Sequence, residues 1–236
     1  MFSIEIVAEN ALIVRHSSGH LEADHNAIQA LTGWLHDSYR DELCDVVPAF
    51  TSLTVYTQLA RLAPQQLRDA LQQHIAKQKS TAITNGINAQ THTFPCYYGR
   101  EVAWDLMALA EGVRLEPEEV VRLHTGGTYR VYALGFTPGF PYLGGLDPRI
   151  AQPRRDRPRK WVPAGAVGIA GQQTGIYPSD SPGGWNIIGR CPEPLFHPES
   201  LRAAELCRLK TGDLVCFEAV TREQYLSLGG TLDGLA

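Results

Sequence analysis

Between Gly126 and Pro194 the chain carries 13 of its 22 glycines and 10 of its 15 prolines. No α-helix survives that density. Proline lacks the amide hydrogen and clashes with the preceding turn, while each helical glycine costs about 1 kcal/mol. The segment is thereby restricted to short strands, such as Tyr129-Arg130-Val131-Tyr132-Ala133-Leu134, joined by loops whose course glycine and proline fix. That is the texture of a β-barrel with elaborate surface loops. Further on, Leu214-Val215-Cys216-Phe217-Glu218-Ala219-Val220 reads as another strand, one run of it buried on both faces.

The first ninety or so residues have a different texture. Ile4 and Ile6 alternate with polar residues, and Ala11-Leu12-Ile13-Val14 follows a turn at Glu9-Asn10. Ile28, Leu31 and Leu35 mark one face of a helix. Two extended runs come next, Cys44-Asp45-Val46-Val47 and Leu53-Thr54-Val55-Tyr56, separated by Pro48 and Thr51-Ser52. A second helix opens at Pro64 and repeats Leu67, Leu71 and Ile75 on one side. Strand, strand, helix, strand, strand, helix describes an α+β layer with both helices on one side of a sheet. Gln78 to Thr91 is polar, with a turn signal at Asn85-Gly86, and a strand begins at Thr91-His92-Thr93-Phe94. Two helical stretches follow, one carrying Val102, Leu106 and Leu109, the other starting at Pro117-Glu118-Glu119 and running towards His124. The expected fold class is α+β, with a small N-terminal α+β sandwich (residues 1–90) and a C-terminal β-barrel domain (residues 91–236).

Composition narrows the function classes. A formal net charge of −4 argues against a general nucleic-acid binder. No apolar run approaches 18 residues, and the start lacks a signal-peptide layout, so no membrane association is expected. Five scattered cysteines without a C-x-x-C pair fit neither a disulfide framework nor a zinc site, and suit a cytoplasmic location. G-x-x-x-x-G-K-[ST], G-x-S-x-G and H-E-x-x-H are all missing. His16 and His20 are four apart, but the intervening Ser17-Ser18-Gly19 suggests a turn rather than a metal pair.

Three long motifs in the glycine-proline region carry a family resemblance: Gly135-Phe136-Thr137-Pro138-Gly139-Phe140-Pro141-Tyr142-Leu143-Gly144-Gly145-Leu146, Val162-Pro163-Ala164-Gly165-Ala166-Val167-Gly168-Ile169-Ala170-Gly171, and Gln173-Thr174-Gly175-Ile176-Tyr177-Pro178-Ser179-Asp180-Ser181-Pro182-Gly183-Gly184-Trp185 with Ile188-Gly189-Arg190 after it. Together with Val47-Pro48-Ala49-Phe50-Thr51-Ser52-Leu53 and Pro95 to Gly99, they resemble the family called allophanate hydrolase subunit 1 over nearly the whole chain. That family includes the B component of bacterial 5-oxoprolinase, the sporulation kinase inhibitor-like proteins and a domain of urea amidolyase. The resemblance implies a cyclophilin-like barrel and two partners. One is an allophanate hydrolase subunit 2 protein, equivalent to the C component of 5-oxoprolinase, and the other is the A component of that enzyme. It implies that the three together convert 5-oxoproline, ATP and water to glutamate, ADP and phosphate, with Mg accompanying ATP and no metal site in this chain. The alternative it leaves open is a binding protein that inhibits a sensor histidine kinase. Ala166 departs from the family's usual serine and is read as a packing position. Cys191 stands where threonine is usual, and Cys96-Tyr97-Tyr98-Gly99 displaces a Cys-Tyr-Gly by one residue.

Several residues are candidates for chemistry. Phe136, Phe140, Tyr142, Tyr177 and Trp185 suit the walls of an apolar groove. The expected ligand groove also takes in Pro138, Pro163, Gly165, Gly168, Gln173, Thr174, Ser181, Gly183, Gly184 and Arg190. Gly165 to Gly168 and Ser181 to Gly184 either cradle an anion on backbone N–H groups or merely serve tight turns and close strand approach. Arg149 to Lys160 sets six cations against one acid, Asp156. It reads either as an anion site, with Arg159 as the ligand contact, or as a solvated or docking loop. His124, at a helix end, either complements the helix dipole or carries a proton, so His124 and Arg159 are the catalytic candidates.

Overall fold

The computed structural model describes residues 1–78, 89–200 and 202–232. The chain divides into two compact units at residue 88. The turn expected at Asn85-Gly86 lies outside the described residues.

The first unit runs β1 (Phe2–Ala8), β2 (Ala11–His16), α1 (Leu21–Tyr39), β3 (Leu43–Ala49), β4 (Ser52–Thr57) and α2 (Pro64–Gln78). Its antiparallel sheet has the order β1-β2-β4-β3. Leu12 and Val14 on β2 and Leu53 and Val55 on β4 point to one face, where they meet Ile28, Leu31 and Leu35 of α1 and Leu67 and Leu71 of α2. Each such side chain contributes about 1.5–3 kcal/mol on leaving water. Pro48 does not end β3 as the sequence suggests. The strand continues to Ala49, which is possible because β3 is an edge and needs no amide hydrogen there.

The second unit begins with β5 (Thr91–Cys96), α3 (Leu106–Val113), α4 (Pro117–Thr125), β6 (Thr128–Leu134) and β7 (Pro141–Gly144). It continues with β8 (Arg159–Val162), β9 (Ala166–Ala170), β10 (Gln173–Ile176), β11 (Ser181–Gly183) and β12 (Asn186–Arg190), then α5 (Ala203–Leu206), β13 (Leu214–Ala219) and α6 (Arg222–Ser227). Seven strands form one sheet in the order β12-β9-β10-β7-β6-β13-β5, while β8 and β11 pair separately. Every pairing in that sheet is antiparallel except β5 with β13. Its two edges then meet: Tyr97, just past β5, and Arg190, the last residue of β12, exchange both backbone hydrogen bonds at 2.9 Å. The sheet thereby closes into a barrel, which leaves no long unpaired edge.

Helices α3 and α4 turn Leu106, Leu109, Val120 and Leu123 onto the same core as the inward residues Phe94, Tyr129, Val131, Val167, Ile169, Val215 and Phe217. Val102 belongs to the turn before α3, its amide donating to Gly99 O, rather than to the helix. Strand β13 also departs from expectation. Val215 and Phe217 are buried and their neighbours are not, because a barrel wall has a single inner face.

Candidate functional site

The loop between β6 and β7 is held by Phe140 N–H donating to Thr137 O and Gly135 N–H donating to Phe140 O, each at 3.1 Å. This tight course sends Phe140 inward and Phe136 outward. Phe136 is 63% exposed and has a backbone φ of 74°, a left-handed conformation that costs a bulky residue about 1–2 kcal/mol. Phe140 is the hub of an aromatic cluster: its ring meets those of Tyr142, Tyr177 and Trp185 edge to face at 5.1, 5.2 and 5.3 Å, and that of Phe136 at 5.8 Å. Such contacts add about 0.5–1.5 kcal/mol each beyond burial. Burial pushes the Tyr177 phenol pKa up, which keeps it protonated.

These rings form one side of a cavity of about 300 Å³, which Arg154, Pro158 and Pro182 to Trp185 complete. Gly183 is required where it stands, since a side chain there would run into the Tyr177 ring. The Arg154 guanidinium lies 5.9 Å from the Trp185 ring centre. Two hydroxyls next in sequence to cavity residues, Thr137 Oγ1 and Ser181 Oγ, are buried without a hydrogen-bond partner among the described residues. Each such group costs about 1–3 kcal/mol, an expense concentrated at functional sites.

Arg159 is engaged elsewhere. Asp105, almost fully buried, receives Arg159 Nη1 and Nη2 at 2.8 Å each, Arg155 Nη1 at 2.6 Å and the Ile187 amide at 2.7 Å. The Arg159 guanidinium also lies 5.1 Å from the Trp104 ring centre. Arg149 binds Asp147 through two nitrogens. The basic stretch is thus less one-sided than its own composition suggests. Three of its six cations have carboxylate partners, two of them on a residue some fifty positions upstream.

His124 corrects a second expectation. It is fully buried, hydrogen-bonded at 2.8 Å between Nδ1 and the Tyr98 hydroxyl and at 2.9 Å between Nε2 and Thr174 Oγ1. Because Thr174 donates its own proton to Gly168 O, the network assigns the histidine proton to Nε2 and makes Nδ1 the acceptor for Tyr98. Burial pushes the pKa of His124 down to about 3. A neutral imidazole enclosed in this way organises the core and takes up no second proton at neutral pH.

The other sequence candidates separate. Phe136, Phe140, Tyr177, Gly183, Gly184 and Trp185 line the cavity together with Tyr142. Pro138 is exposed on the β6–β7 loop, and Pro163, Gly168, Gln173, Thr174 and Ser181 stand in strands or turns that do not line it. Gly165 and Arg190 join Tyr177 at a second cavity of about 170 Å³. There Arg190 donates to Ala164 O and Thr231 O. Gly165 does not offer a phosphate cradle. With φ at 80° it brings the chain against Cys191, its amide donates to Tyr177 O, and the next amide donates to Pro163 O. Ala166 packs among Phe140, Val162, Tyr177 and Trp185, as a packing position should. Burial raises the Cys191 thiol above its ordinary range.

Two residues escaped sequence reading. Arg154 is one cation among six, and no local feature separates it from its neighbours. Asp105 precedes an apolar helix, where an acidic residue reads as an N-cap. It makes no side-chain cap and turns to the arginines instead.

Comparison with known proteins defines the class and then the family. The profile of the carboxyltransferase domain, subdomain C and D, matches residues 2–206. The B subunit of the Bacillus subtilis 5-oxoprolinase is 36% identical over 231 residues, 95% of each chain. The B subunit of the Haemophilus influenzae 5-oxoprolinase is 39% identical over 176 residues, 75% of this chain and 79% of that one. Among solved structures, TTHA0988 superposes with a TM-score of 0.76 at 33% identity over 93% of this chain, which spans only 40% of that larger protein. The Kluyveromyces lactis urea amidolyase, at 17% identity and a TM-score of 0.70 over 96% of this chain and 15% of its own, shares the fold. The chain belongs to the carboxyltransferase domain C and D family. Within that class it is a member of the family formed by the B subunits of 5-oxoprolinase.

Proposed function

We propose that this chain is a non-autonomous component of an ATP-dependent 5-oxoprolinase, working in the cytoplasm with partners of the C and A types. The observation that carries the reading is the likeness to the Bacillus subtilis B subunit along 95% of both chains. The composite reaction hydrolyses 5-oxo-L-proline to L-glutamate while ATP and water give ADP and phosphate. Nothing in this chain's two catalytic candidates performs that reaction alone, since His124 is locked in the core and Arg159 is bound to Asp105. Nor does the Gly165 to Gly168 turn fit a nucleotide phosphate, because its first two amides already have acceptors. We therefore assign Mg-ATP to the assembled complex rather than to this barrel, and give the barrel a role in binding and orienting.

The test is ADP release dependent on 5-oxoproline, with this chain added to or omitted from its two partner proteins. Turnover only in the complete mixture is the expected result. Turnover by this chain alone overturns the non-autonomous role. Silence in every mixture of folded proteins transfers the reading to regulation of a sensor kinase.

A further inference from the structure

The aromatic cavity has walls of one chemistry and a rim of another. Phe140, Tyr142, Tyr177 and Trp185 present ring edges and faces, and no acidic side chain lines the space. Of the six cations between Arg149 and Lys160, Arg154 alone lines it, and among the described residues it has no carboxylate partner. Its guanidinium lies over the Trp185 ring, 5.9 Å from the centre, and a guanidinium carries the N–H fork that grips a carboxylate through two parallel hydrogen bonds. The neighbouring cluster reinforces the sign. Two guanidinium groups share the single Asp105 carboxylate, leaving an excess positive charge beside the cavity.

We propose that this cavity binds a small ring acid, its ring against Trp185 and Phe140 and its carboxylate on Arg154. Its volume, about 300 Å³, falls at the small end of ligand sites and suits a single five-membered ring with its substituents. The identity of the acid as 5-oxoproline rests on the oxoprolinase reading. The demand for an anion carried on a flat apolar body does not. Arg154, and not Arg159, is thereby the residue that sets specificity for the carboxylate.

The experiment is calorimetric titration of the full chain, alone and assembled with its partners, using 5-oxoproline and 2-pyrrolidinone, the same lactam without the carboxylate. Arg154→Gln is expected to weaken 5-oxoproline binding about 10–100-fold, the range for a charged hydrogen-bonded contact. Arg154→Lys should lose less, while 2-pyrrolidinone should bind weakly to the parent and no differently to either variant. Arg157→Gln, in the same exposed segment, should bind as the parent does. Equal 5-oxoproline affinity in the parent and Arg154→Gln overturns the proposal, as does a failure of both chain and complex to bind the acid. Arg154-dependent binding without turnover by the three-component mixture would sink the oxoprolinase reading and leave this site standing. Turnover whose KM ignores Arg154→Gln would do the reverse.

Discussion

The two units of this chain are held by interactions of very different range. In the first, charged side chains pair with each other nearby: His16 reaches Asp24 eight positions on, and Arg15 reaches Glu5 ten positions back. In the barrel unit, Arg155 crosses 50 positions to Asp105, His124 crosses 50 to Thr174, and the Gln90 amide crosses 123 to the Asp213 carboxylate. The first unit is therefore a matter of periodicity and apolar burial. The second depends on a few polar groups whose partners only the finished fold supplies, and one of them, Arg155, is next in sequence to the cavity residue Arg154.

The largest expected effect probes the first unit. Leu71→Ala empties a fully buried site between α2 and the sheet and should cost about 3–5 kcal/mol. Hydrogen exchange should show the loss in β2 and β4 and leave the barrel amides protected. Equal loss in both units would show that they unfold as one. Asp105→Ala should cost about 3 kcal/mol in the barrel, because it strands two guanidinium groups and the Ile187 amide at once. Its exchange map should be the mirror image, with β12 losing protection and β2 keeping it.

Acid sharpens the contrast further. His124 is depressed to about 3 in the folded chain against an ordinary value near 6.5, so the unfolded chain binds the extra proton between those values. The stability that this neutral histidine contributes is complete above about pH 6.5 and falls as pH drops towards the folded pKa. From about pH 7 to about pH 5 the loss should be about 2 kcal/mol. Urea midpoints for the parent and His124→Gln measure it: the variant should be less stable at neutral pH and show a flatter pH dependence, and parallel curves would refute the assignment. The smallest effect belongs to Phe136→Gly. Relief of the left-handed backbone offsets the entropy cost of glycine, so thermal stability should move by no more than about 1 kcal/mol. Complex activity should fall, because an exposed ring at the cavity rim is lost. A clear drop in melting temperature with full activity would make Phe136 a structural residue.

Legibility follows the same division. In the first unit the spacing of Ile28, Leu31 and Leu35, and of Leu67 and Leu71, locates both helices and the face they bury, because those contacts repeat within a turn or two of helix. In the barrel, glycine and proline density excludes helix and announces strands, and the aromatic residues of the three motifs point to the cavity without the fold. The pairing of charges is what stays hidden. Arg159 looks available because its only acidic neighbour in sequence is Asp156, while Asp105 stands fifty positions away at the start of a helix. His124 looks reactive because nothing in its neighbourhood announces that Thr174 and Tyr98 enclose it.

The parallel pairing of β5 with β13 places the first strand of the barrel beside the last. A ribosome adding about 5–20 residues per second needs roughly 6–25 s to make the chain between Gln90 and Asp213. For most of that interval Phe94 and Cys96 belong to a strand without neighbours, because Arg190 at the seam is made late in it and β13 only after it. The first unit can already be finished by then, since among the described residues its strands, helices and core all lie at or before Gln78. Nascent chains arrested before residue 214 should thus carry a protease-resistant first unit joined to an open, sticky half-barrel. Release of the last strand is the event that converts that half-barrel into a protein able to meet its partners.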